Sequence, residues 1–102
     1  MEKLLRVYNE LHWVNSRFTG SPEFNPLLVD FKTLDKLNRD LNKAYEEEVS
    51  GRSRSSTERH FYDQLDYVFN ELVRAHQNRS KERFENFKTG LMEISKNIEI
   101  FD

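Results

Sequence analysis

The chain has 102 residues, of which 36% are hydrophobic and 33% charged, with a formal net charge of −2. That length accommodates one domain, and so polar a composition leaves only a thin core. Three Gly and two Pro are too few for the many tight turns of an all-β domain. Zero Cys removes disulfide scaffolds and thiolate chemistry, and the charge balance is not that of a general nucleic-acid binder.

The first predicted helix covers residues 2 to 17. Leu4, Val7, Tyr8, Leu11, Val14 and Phe18 follow the three-and-four spacing that places side chains on one helix face. Residues 1 to 15 hold no continuous apolar run and do not read as a signal peptide. No stretch approaches the ~20 apolar residues of a membrane span. Gly20 and Pro22 stop this helix. Gly20-Ser21-Pro22-Glu23-Phe24 also reads like the translation of a common cloning site, which would make residues 20–24 a fusion junction between a helical peptide and a domain. A native helix start at Ser-Pro-Glu is the plainer explanation.

The second helix is expected to begin at Asn25-Pro26, a cap followed by proline at the first helical position. Ser21-Pro22 is the other candidate start. Its stripe is Leu27, Phe31, Leu34, Leu37, Leu41, Ala44 and Tyr45, and it runs to about Val49. Glu46, Glu47 and Glu48 oppose the dipole at its C-terminal end and read as a solvated helix end.

Residues 51 to 57 form a polar loop. Ser55 and Glu58 have capping-box spacing, with Ser55 as the cap. Arg52 and Arg54 precede a run of hydroxyls, so Ser55 and Thr57 are candidate phosphorylation sites, where a phosphate would meet a helix N-terminus. A plain capped loop is the competing reading.

The third helix runs to about His76, with Phe61, Leu65, Val68, Leu72 and Ala75 as its stripe and Tyr62 and Phe69 beside it. Residues 77 to 83 are entirely polar, so the stripe breaks there, and Ser80 is the candidate cap of a fourth helix. One continuous helix from 58 to 101 competes, because no Gly or Pro enforces a turn. In the fourth helix, Phe84, Leu91 and Ile98 form one heptad row, and Phe87, Ile94 and Phe101 form another. The rows merge into one stripe that must be buried.

Short connections favour antiparallel neighbours. The expected fold is therefore all-α, a small antiparallel bundle of four helices in a single domain of residues 1–102. A three-helix core with an appended N-terminal helix is the alternative.

Chemistry-bearing motifs are sparse. His12, His60 and His76 lie on different helices or helix ends and fall short of a metal-ligand set. Asp63, Asp66, Glu71 and His60 spread around one helix without a nucleophile beside a base, and there is no phosphate-binding loop or dinucleotide fingerprint. No metal, no cofactor and no catalysis are expected. Arg74, Arg79, Lys81 and Arg83 cluster at the turn before the fourth helix and are candidate phosphate contacts, diluted by Glu82 and Glu85. Trp13, Tyr62 and Phe69 lie beside the main stripes and are candidate anchors for a partner, since Trp and Tyr dominate binding hot spots. The expected function is a non-catalytic protein-interaction module, an adaptor, regulator or assembly subunit. It would bind another protein or a second copy of itself through an aromatic-rich helical face. A nucleic-acid-associated regulator using the basic turn at 74–83 is the alternative. The expected setting is the cytoplasm, or the nucleus in a eukaryote.

Overall fold

The computed structural model describes residues 2–18, 30–50 and 56–101, with side chains to residue 16 in the first stretch and to residue 96 in the last. Among these the chain forms four α-helices and no strand: α1 (Glu2–Phe18), α2 (Phe31–Ala44), α3 (Ser56–Asn78) and α4 (Lys81–Phe101). A π-helical turn, Tyr45–Val49, extends α2. None of these helices is long and apolar enough to cross a membrane.

The stripes meet in a single core. Leu4, Val7, Leu11 and Val14 of α1 are buried with Leu34, Leu37, Leu41 and Ala44 of α2. Phe61, Leu65, Val68, Leu72 and Ala75 of α3 and Phe84, Phe87, Leu91 and Ile94 of α4 complete it. Each fully buried leucine stabilises the fold by about 2 kcal/mol through lost apolar hydration. Because α1 contributes four side chains to this one cluster, it is an integral helix rather than an appendage. Phe18, Leu27, Ile98, Phe101, the Ser55 cap and the 20–24 junction lie outside the described side chains.

Cross-helix contacts set the helix directions. Lys36 meets Glu10 while Glu48 meets Leu4, so α1 and α2 run in opposite senses. Tyr45 packs on Tyr62 while Leu34 shares a groove with Val73, which orients α2 against α3. Glu71 pairs with Arg83 while Val68 faces Gly90, which orients α3 against α4.

The start of α2 corrects the sequence reading. Asp30 is extended (φ −89°, ψ 167°) and its carboxylate accepts the Thr33 N–H at 2.7 Å, so Asp30 is the N-cap and the helix begins at Phe31, not at Pro26. As first residue of the helix, Phe31 tilts toward the N-terminus, past the packed turns, and is 76% exposed instead of joining the stripe.

The π-helical turn resolves the acidic run. An ordinary helical continuation would carry Glu47 and Glu48 into the stripe after Ala44. The extra residue, closed by the Ser50 N–H to Tyr45 carbonyl bond of 2.8 Å, brings Val49 into the core instead. Glu48 then reaches the start of α1, where it accepts the Leu4 N–H at 2.9 Å and the Lys3 N–H at 3.1 Å. Glu47 pairs with the Lys3 ammonium. The expectation of a solvated helix end holds for Glu46 and Glu47, which are exposed, and is overturned for Glu48, whose carboxylate satisfies unpaired donors at the positive end of a neighbouring helix.

α3 and α4 are separate helices. Arg79 adopts the left-handed conformation (φ 50°), and the Ser80 N–H bonds the Ala75 carbonyl at 3.1 Å, closing a Schellman motif. Ser80 also caps α4, its hydroxyl accepting the Arg83 N–H at 3.2 Å. The left-handed conformation costs a residue other than Gly about 1 kcal/mol. Two turns into α4, a Cβ placed on Gly90 would lie 2.8 Å from Val68 Cγ2, so the glycine permits the close approach of the two helices.

Candidate docking surface on α2

The first two turns of α2 lie between two clefts. On the α1 side, a cleft of about 210 Å³ is lined by Trp13, Val14, Thr33, Lys36 and Leu37, with Glu10 at its wall. On the α3 side, a groove of about 300 Å³ has Phe31, Leu34, Phe69 and Val73 as apolar lining, with Asp35 and His76 among its polar groups. That volume is at the lower end of ordinary ligand and side-chain sites. The lip of each cleft carries an exposed aromatic ring: Trp13 is 72% exposed and Phe31 is 76% exposed.

The three aromatic residues singled out by sequence end in three environments. Trp13 is open to solvent. Phe69 is a core residue, 6% exposed, whose ring contributes to the groove. Tyr62 is half-buried against Tyr45, with ring centroids 4.8 Å apart. Burial pushes the Tyr62 hydroxyl above its ordinary pKa, and the charges of Asp66, Tyr45 and Asp63 push it the same way. Phe31 was missed by sequence reasoning, because its spacing matches the stripe. The signal that could have found it was Asp30 with a backbone donor three residues on.

Charged groups at the α1–α2 seam are tightly organised. The Lys36 ammonium lies 3.3 Å from Glu10 Oε1. Glu10 Oε2 is buried with no hydrogen-bond partner among the described residues. The neighbouring Asp40 carboxylate is itself an acceptor, so the two carboxyl groups can hydrogen-bond only by sharing a proton. Burial raises the Glu10 pKa above its ordinary value, Asp40 adds to the rise, and Lys36 opposes it. Glu48 behaves oppositely. Burial pushes it up, but the hydrogen bonds it accepts hold it below the ordinary value.

Of the basic turn, Arg83 is engaged within the fold, while Arg74, Arg79 and Lys81 are exposed. Arg83 Nη1 is 3.1 Å and 3.3 Å from the two oxygens of the buried Glu71. Arg74 shares a surface hollow with Asp63, Asp66 and Glu71. The histidines lie apart: His12 is exposed and stacks on Tyr8, His60 is exposed on α3, and His76 lines the groove. Thr57 is exposed in the first turn of α3, and Ser55 lies outside the described residues. A second polar bridge links α1 to α4. The Ser95 hydroxyl donates to the Leu91 carbonyl, so the Tyr8 hydroxyl donates to Ser95 Oγ at 2.5 Å.

Compared with protein-family models, curated proteins and solved structures, the chain matches none of them.

Proposed function

We propose that this chain is a non-catalytic protein-interaction module whose docking surface is the N-terminal half of α2 with Trp13 on one side and Phe31 on the other. The partner that suits it is an amphipathic helix of another protein, laying apolar side chains into the two clefts. The observation that carries this reading is the exposure of two large aromatic rings, each at the lip of an apolar cleft and neither needed by the core. Such rings are the residues on which binding energy concentrates. Asp35 and Lys36 put both signs of charge on the surface, which favours contact-driven binding over long-range attraction. A cytoplasmic setting accords with a chain that uses no cysteine.

The test is a comparison of Trp13→Ala and Phe31→Ala with the parent chain against the partners it co-purifies with in its native cells. Each substitution should weaken binding by roughly thirtyfold, the effect of a hot-spot side chain worth about 2 kcal/mol. Thermal unfolding should stay unchanged, since both rings stand outside the core. Undiminished binding by both variants would remove this surface from consideration.

A further inference from the structure

The α3–α4 hairpin closes on two residues, Arg79 and Ser80, and the first of them is held at φ 50° without being glycine. Nothing in the surrounding sequence requires a turn. No Gly or Pro occurs between Gly51 and Gly90, and residues 77 to 83 are all polar. Those seven residues can therefore continue a helix without placing an apolar side chain in water.

The contacts across the hairpin are centred on the turn itself. Glu71 pairs with Arg83, and Val68 faces Gly90. The midpoints of these pairs are residues 77 and 79, just before and at the hinge. Two long antiparallel helices crossing at that point would recreate both contacts, once from each chain.

We propose that the α3–α4 hairpin fits a second copy of this chain, with Arg79–Ser80 straightening so that α4 of each copy packs on α3 of the other. This exchange is independent of the docking surface on α2. It recreates the Glu71–Arg83 ion pair and the Val68–Gly90 approach between chains, in the self-complementary manner of a two-fold dimer. It also releases the left-handed residue in both copies. What it gives up is the Ser80 cap and the Schellman bond, together with the freedom of the separate chains. Short hinges under strain are the places where such exchange begins. Monomer and dimer interconvert slowly, because α4 must leave its buried seat first.

The chain has no cysteine, so a unique pair can be introduced. Val68→Cys with Gly90→Cys puts two thiols where the Cβ of residue 90 closely approaches a γ atom of residue 68. The full chain is concentrated, separated into monomer and dimer by size exclusion, oxidised, and run on a denaturing gel. Exchange predicts that the dimer fraction yields a two-chain covalent species and the monomer fraction a single-chain one. A dimer fraction that oxidises to single chains overturns the proposal. If the cysteine pair does not fold, the hinge variants decide. Arg79→Gly should weaken dimerisation about tenfold, and Arg79→Ala with Ser80→Ala should strengthen it about tenfold, because glycine accepts the left-handed turn and alanine favours the continuous helix. Equal dimerisation by these two variants, or no dimer from either at millimolar concentration, also overturns it.

Discussion

Two glutamates at the same helix–helix seam respond to pH in opposite directions. Glu48 holds the Lys3 and Leu4 amides, and its pKa in the folded chain is below the ordinary 4.5. Its contribution is therefore present above pH 4.5 and is lost as pH falls through the lower folded value. Glu48→Gln removes the charge that makes these bonds strong and should cost about 1 kcal/mol, within the range of helix caps. A lower melting temperature near neutral pH reads this directly. Glu10 has a folded pKa raised above 4.5, so its contribution is complete below that pH and is lost as pH rises through the folded value. Glu10→Gln supplies a permanent donor near Asp40. It should raise stability at neutral pH and flatten the decline on the alkaline side of pH 4.5. Urea midpoints measured from pH 4 to 8 check this, and an unaltered slope would argue against a shared proton.

Between helices, the sharpest constraint is Gly90. Alanine is favoured over glycine inside a helix by about 1 kcal/mol. Here the added methyl meets Val68 Cγ2 at 2.8 Å, so α3 and α4 must separate or Val68 must shift. Gly90→Ala should therefore destabilise by about 1 to 2 kcal/mol. Val68→Ala made in the same chain should recover part of the loss, which a double-mutant cycle reads as coupling. A rise in stability on Gly90→Ala alone would show that the interface has slack.

The helices themselves were mostly legible in the sequence, because the stripes of α1, α3 and α4 depend only on spacing. The start of α2 was not, since the Asn25-Pro26 pattern is a stronger textual signal than Asp30 with a backbone donor at Thr33. The π-helical turn was hidden too. Its benefit lies in amides 44 and 45 residues away in sequence, which no local pattern carries. The last turn was legible from the polar break and from Ser80, the cap the structure shows, although Arg79 holds a conformation for which glycine is the usual marker. At the proposed docking surface, Trp13 was legible as a large ring off the stripe, whereas Phe31 was masked by being in register with it.

Across the whole molecule, packing is uneven. Among the described residues, α3 and α4 lie against each other more extensively than any other pair, while α1 meets α4, and α2 meets α3, at few places. Amide exchange should follow that gradient. The buried turns of α3 and α4 are expected to be the slowest to exchange, and α1 and α2 to exchange faster. Uniform protection across all four helices would indicate that the bundle opens only as a unit.

The two-residue connection between α3 and α4 also sets an order of assembly. Closing it costs almost no loop entropy, so this hairpin forms early. The carboxylate that secures the beginning of α1 arrives from the end of α2, and α1 joins late. A ribosome makes the elements in the reverse order: the late joiner emerges first and the early hairpin last. Until α4 is released, α1 has neither its complete floor nor its place in the finished core, and the nascent chain must keep that apolar face from other company.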